Sequence, residues 1–211
     1  VSTTAEVRQR HASALAWVES GRVDVASTEL AGAMNLARGA GLTMLLPELA
    51  LSAVWLDIER GELSAARTLL DRVRPELRGT DLARARCLYG LLHYATGEWA
   101  LAVGELSTAL RWLRRVGDRH WQANALVARG AAAAYLGGFT GADGDFRRAA
   151  AYFRELGEID RAACCVHNRG FVALRRGDIP AALRFYDAAD RGGLLLERHP
   201  ELLVDRAETL L

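Results

Sequence analysis

Lysine is absent from this chain of 211 residues, and all 27 of its basic residues are arginine. A GC-rich coding bias accounts for the exchange, but its chemical consequence stands whatever the cause. Without lysine there is no Walker-type phosphate lysine, no Schiff base and no pyridoxal attachment. The arginines face 26 acidic residues, for a net charge of +1. No general field therefore favours nucleic acid or an anionic membrane, and neither is expected as a partner. Cysteine is scarce: Cys87, Cys164 and Cys165 are an odd set with two adjacent members. That is no disulfide framework, and it fits a reducing cytoplasm. No apolar run reaches the roughly 18 residues of a membrane span. The short stretch from Ala12 to Val18 is flanked by His11 and Glu19 and makes no signal peptide. His-Glu-x-x-His, Gly-x-Ser-x-Gly and Cys-x-x-Cys are all missing. Strand-forming runs are missing too, in a chain that is 51% hydrophobic and rich in alanine.

What the chain does have is one local pattern five times over. Gly21, Gly61, Gly97, Gly137 and Gly177 are spaced 40, 36, 40 and 40 residues apart. Two residues after each glycine stands a large apolar residue: Val23, Leu63, Trp99, Phe139 and Ile179. Five after stands alanine without exception: Ala26, Ala66, Ala102, Ala142 and Ala182. Nine after come Leu30, Leu70, Leu106, Phe146 and Tyr186; twelve after come Ala33, Val73, Ala109, Ala149 and Ala189. Seven before come Ala14, Val54, Gly90, Gly130 and Gly170. A self-similar period of this length means stacked supersecondary units.

The offsets after each glycine fall on one stripe of an α-helix. The glycine closes the helix before it, because it takes the left-handed C′ conformation without steric cost. Small residues on both sides of the turn let two helices cross closely. Each unit is therefore helix, tight turn, helix. First helices are expected near 4–20, 46–60, 81–96, 119–136 and 159–176. Second helices are expected near 23–38, 62–74, 98–116, 139–156 and 179–191. Asp118 and Asp178 stand at cap positions, with Pro180 in the turn that follows. Gly39, Gly117, Gly157 and Gly192 end second helices; Pro47 and Pro200 open helices and Pro75 stops one. Four glycines, Gly137, Gly138, Gly141 and Gly144, make the fourth hairpin the softest.

Gly170-Phe171-Val172-Ala173-Leu174-Arg175-Arg176-Gly177-Asp178-Ile179-Pro180-Ala181-Ala182-Leu183, followed by Tyr186 and Ala189, resembles the core motif of the tetratricopeptide repeat. Gly90 through Ala109 and Gly130 through Ala149 match nearly as well, and the resemblance covers about residues 4–211. It is to a longer variant, with the extra length in connectors such as Leu113-Arg114-Arg115-Val116-Gly117-Asp118. HEAT-type repeats lack this glycine–alanine signature. The resemblance implies an all-α fold, a right-handed α-solenoid of five hairpins plus a trailing helix, as a single domain over 1–211. A narrower likeness joins His167-Asn168-Arg169-Gly170 and Leu174 through Leu183 to the repeats that precede CHAT peptidase domains in actinobacterial proteins. It implies that this chain is the recognition half of a larger protein; the peptidase Cys and His belong to a domain it does not contain.

Three local clusters suggest chemistry and lack its complement. Cys164 and His167 share a helical face, but no further zinc ligands stand at helical spacing, so the reading is core thiols beside a surface imidazole. The run from Gly137 to Asp145 is rich in glycine but has no Gly-Lys-Ser/Thr and no preceding strand. Asp143-x-Asp145 lacks the glycine and terminal glutamate of a calcium loop. No catalytic, metal or cofactor site is assigned. Trp99 and Phe139 sit in core columns and read as packing.

On first helices, by the tetratricopeptide resemblance, Trp55, Tyr94, Tyr135 and Phe171 line a concave face. Arg8, His11, Arg84, Asn124, His167, Asn168 and Arg175 stand with them. Aromatic and arginine groups in a groove are what binding hot spots are made of. The expected function is a non-catalytic scaffold that binds a protein or peptide. A sensor array of a transcriptional or signalling regulator is the alternative, with a closing ligand pocket; an enzyme would need convergent titratable groups. A sixth turn glycine is due near residue 217 by the period, whereas the chain stops at Leu211. The helix expected over 199–211 is thus half a hairpin, with Leu203, Ala207, Leu210 and Leu211 as its apolar stripe. The expectation is a fragment that continues, or else an edge that self-associates with a second copy.

Overall fold

The computed structural model describes residues 2–190 together with Leu202. Among them are ten α-helices and no strand. The expectations at Gly192, at Pro200 and over the helix 199–211 lie outside the described residues. The chain divides into two compact units, one ending at Thr96 and the next beginning at Gly97.

The first unit holds α1 (Thr3–Glu19), α2 (Val23–Gly39), α3 (Leu46–Glu59), α4 (Leu63–Val73) and α5 (Gly79–Ala95). The second holds α6 (Trp99–Val116), α7 (Arg119–Tyr135), α8 (Phe139–Glu155), α9 (Ile159–Arg175) and α10 (Ile179–Ala189). Both ends of all ten helices fall within two residues of those read from the glycine register. Packing follows the chain: α1 on α2, α3 on α4, α7 on α8 and α9 on α10, with each hairpin packed on the next inside its unit. The 36-residue spacing between Gly61 and Gly97 has a local cause. The α4 helix has 11 residues where α2 and α8 have 17. Pro75 sits in the 3₁₀ turn Arg74–Glu76 that follows it, where its ring and missing N–H prevent the helix from continuing.

The turn at Gly137 shows why the glycine recurs. Its φ is +80°, its N–H bonds to the Ala134 carbonyl at 3.1 Å, and the next N–H reaches back to the Ala133 carbonyl at 2.8 Å. This is the Schellman closure, and it needs the left-handed residue that only glycine supplies cheaply. Between the first two repeats the left-handed residue is Gly41, at φ +66°, whereas Gly39 is the last residue of α2. Closing at Gly41 places Leu42 after the turn, where it bonds to the Ala37 carbonyl at 2.8 Å and packs on the hairpin core. Asp118 and Asp178 cap α7 and α10 as expected, accepting from the N–H groups of Trp121 and Ala181 at 3.2 and 3.0 Å.

Ala26, Ala66, Ala102, Ala142 and Ala182 are all wholly buried. In the fourth and fifth hairpins the residue seven before the turn meets the one nine after it, and inside both units the two positions are complementary in volume. Ala14 goes with Leu30 and Val54 with Leu70; Gly130 goes with Phe146 and Gly170 with Tyr186. A Cβ on Gly130 would stand 3.2 Å from the Phe146 ring, and one on Gly170 would overlap the ring of Tyr186. Where the second helix carries an aromatic ring, the first has given up its side chain to admit it. Such a buried ring contributes roughly 2–3 kcal/mol by area.

Candidate functional site

In the first unit, α1, α3 and α5 bring His11, Ser52, Glu48, Arg84 and Asp81 together. His11 Nε2 and Ser52 Oγ share a hydrogen bond of 2.8 Å. Burial lowers the His11 pKa; the positive charge of Arg84 adds to this, and Glu48 opposes it. The net effect favours the neutral imidazole. Arg84 reaches Glu48 at 3.5 Å and Asp81 at 3.7 Å. Burial also raises the Asp81 pKa, with Arg84 acting against the shift and Glu48 with it. A Ser–His pair is where nucleophilic catalysis starts. Here Ser52 lies mid-helix in α3, where backbone N–H groups are engaged in helix hydrogen bonds and do not converge as oxyanion donors. Trp55 donates its indole N–H to Glu59 at 2.9 Å. Trp55 and Tyr94 are half-buried and Arg8 is exposed. Beside α1 and α2 lies an open depression of about 500 Å³, lined in part by Glu6, Arg10 and Asn35.

In the second unit the structure builds a row of rings along one end of the hairpins. Tyr135, the last residue of α7, stacks on Trp99, the first of α6, at 4.6 Å and 12°. Phe171 of α9 meets Tyr135 at 5.9 Å and 51°. The Arg175 guanidinium lies 6.0 Å from the Phe171 centroid. Tyr135 is 41% exposed, and Arg175 is exposed. Three of the groove residues expected from sequence, Tyr135, Phe171 and Arg175, thus stand in one row. Trp99 joins them rather than serving as core packing: as the first residue of α6 it is only half-buried, its ring laid against Tyr135.

His167 does not belong to this surface. It is 1% exposed, with its ring 4.5 Å from that of Tyr186. The correction has a readable cause. Ten residues before the turn glycines the column runs His11, Leu51, Cys87, Val127 and His167. Leu51 and Cys87 are buried, so a histidine in this column is drawn inward. Asn168 is half-buried. Asn124 is held by Arg161, whose guanidinium donates to it, and Arg161 also pairs with Glu158 at 2.9 Å and lies 4.2 Å from the Phe153 ring. Cys165 is buried and its thiol is pushed up to about 12 by that burial; all three cysteines are free thiols. Among the described residues no group of three His, Cys, Asp or Glu side chains is placed to hold a metal ion. No described helix is long and apolar enough to cross a membrane.

The acids of the glycine-rich run have a use that sequence did not show. Asp145 is 3% exposed and accepts from Arg129 through Nε at 2.7 Å and Nη2 at 2.8 Å. Arg148 adds a third bond at 2.6 Å, and Arg129 also reaches Ser107 of α6 at 3.1 Å. Asp143 accepts from Arg169 of α9 at 2.7 Å. The two carboxylates tie α8, which starts among glycines, to the first helices on either side of it. The signal available in sequence was arginine eight residues before the turn in the fourth and fifth repeats alone.

Ten helices paired in order, with glycine turns and alanine crossings, make the fold that of a tetratricopeptide-type helical-hairpin array. A tetratricopeptide repeat protein from Parabacteroides merdae, known from its crystal structure, is similar at a TM-score of 0.51. The likeness covers 98% of this chain and 77% of that one, at 17% sequence identity, and so bears on fold alone. No family model matches the chain, and no curated protein does.

Proposed function

We propose that this chain is a non-catalytic module that binds a protein or peptide. One observation carries the reading: the Trp99–Tyr135–Phe171 row with Arg175 at its end, in which Tyr135 and Arg175 are exposed and the other two rings half-buried, a set of residue types enriched where binding energy concentrates. The row stands on helix ends, and rigid elements hold such groups in place before a partner arrives. The unbroken glycine register across Thr96 supports use of residues 1–211 as one array. The likeness of the fifth repeat to arrays preceding CHAT domains supports a place within a longer, actinobacterial protein. Free thiols support a cytoplasmic setting, and a net charge of +1 argues against nucleic acid and anionic membranes as partners. The sensor alternative calls for a pocket that closes on its ligand, and the depression beside Arg10 is open.

Panning a random dodecapeptide display library against the whole chain tests this. Sequences are expected to enrich on the wild type and on Arg184→Ala, an exposed control on α10, and to be lost on Tyr135→Ala. Enrichment that Tyr135→Ala leaves intact removes the row from the reading.

A further inference from the structure

The row also carries the chemistry of what it binds, on the condition that it binds peptide at all. We infer that its ligand is an extended peptide segment in which an aromatic or proline ring stands two residues from an Asp or Glu carboxylate. Trp99 and Tyr135 are nearly parallel and cover one face of each other. Tyr135 and Phe171 instead meet at 51° with their centroids 5.9 Å apart, so the two rings touch and present a tilted apolar ledge. A flat apolar ring packs onto such a ledge through edge-to-face and offset contacts. Arg175 borders the same ledge, 6.0 Å from Phe171. It makes no ion pair with a described residue. That sets it apart from Arg84, Arg129, Arg161 and Arg169, each of which has a carboxylate within 4 Å. Arg176 beside it is exposed and likewise makes no ion pair with a described residue.

A guanidinium near an aromatic ring keeps its in-plane donors for a bidentate carboxylate. The same charge repels a cationic ligand, so a lysine or quaternary ammonium group is the wrong occupant for these rings. Spacing sets the register of the two anchors. Same-face side chains of an extended peptide repeat every two residues, about 7 Å, close to the 6.0 Å between the Phe171 ring and the guanidinium. From Trp99 to Arg175 the successive spacings of 4.6, 5.9 and 6.0 Å limit the row to the reach of about five extended residues.

The enriched dodecapeptides are expected to carry Phe, Tyr, Trp or Pro two positions from Asp or Glu. A synthetic peptide of the leading sequence and its twin, with Asn or Gln replacing the carboxylate, are titrated calorimetrically against the whole chain at low salt. The twin is expected to bind at least about tenfold more weakly, as for loss of one charge-assisted bond. Arg175→Gln is expected to bind both peptides alike, at the level of the twin, with unchanged helical circular dichroism. A wild type that prefers neutral or basic sequences through Tyr135 overturns the ligand chemistry and leaves peptide binding standing. So does an undiminished preference for the carboxylate in Arg175→Gln. Enrichment of nothing, or enrichment indifferent to Tyr135→Ala, overturns both.

Discussion

Substituting Gly170 by alanine asks directly whether the hairpins are matched by volume. A Cβ built there lands against Cε1 of Tyr186, with Cδ1 at 2.6 Å and Cζ at 3.0 Å. The obstacle is a rigid ring, 2% exposed and packed against His167, so it has little room to withdraw. Overpacking of this kind costs about 1–3 kcal/mol. Replacing a helix-interior glycine by alanine gains about 0.8–1 kcal/mol. The net expectation is a loss of about 1–2 kcal/mol, by difference. Gly130→Ala is the internal comparison. Its Cβ would stand 3.2 Å from Phe146 and 3.3 Å from the Ala142 carbonyl, contacts that need a shift of only tenths of an ångström. There the two effects nearly cancel, to within about 0.5 kcal/mol. Pairing Gly170→Ala with Tyr186→Leu recreates the small–leucine match of Ala14 with Leu30. That double variant is expected to be more stable than the sum of its parts by at least about 1 kcal/mol. Urea midpoints by circular dichroism measure the cycle. Because hairpins of an array unfold with some independence, amide exchange in α9 and α10 localises the effect. A Gly170→Ala chain as stable as the wild type, or strictly additive single changes, would refute the volume match.

Asp145→Ala leaves the part-buried Arg129 without its carboxylate and is expected to destabilise the second unit by about 2–4 kcal/mol, whereas Ser107→Ala costs under about 1; thermal melts of both variants check the order. Amide exchange over 138–146 is expected to be faster than over 98–106, because Gly138, Gly141 and Gly144 weaken the start of α8, and equal protection would count against it. The Tyr89 hydroxyl is raised from 10.0 to about 12, by burial first and then by its hydrogen bond to Asp71. The folded chain keeps a proton that the unfolded chain releases, so this contribution is full below pH 10 and is lost as pH rises towards 12. Tyr89→Phe is expected to flatten that alkaline decline in part, since Cys165 adds to it from pH 9 upward, and melting temperatures taken between pH 9 and 12 show it.

Periodicity alone determined the element list of this protein. A glycine that must take positive φ, an alanine at every crossing and apolar residues on one helical stripe are local constraints, and each repeat states them again. Both ends of all ten helices followed from them to within two residues; α2 ends on Gly39 as expected, and Gly41 is the left-handed residue of the turn that follows. There the deciding fact was which residue, Leu42 or Ala40, had a core to enter after the turn. The candidate surface was legible in part, because offsets on a helix say which residues share a face but not what lies against that face. Tyr135, Phe171 and Arg175 stand in one row. His167 does not, since the ring of Tyr186, a residue from the next helix, covers it. Trp99 is half-buried like Val23, Leu63 and Phe139 in the same column, which lies at the first residue of each second helix. Arg169 finds Asp143 in the preceding repeat, and no single repeat holds both partners. Short-range geometry is written in neighbouring residues, whereas pairings between hairpins exist only once helices distant in the chain have packed, and those contacts decide which side chains remain available to a partner.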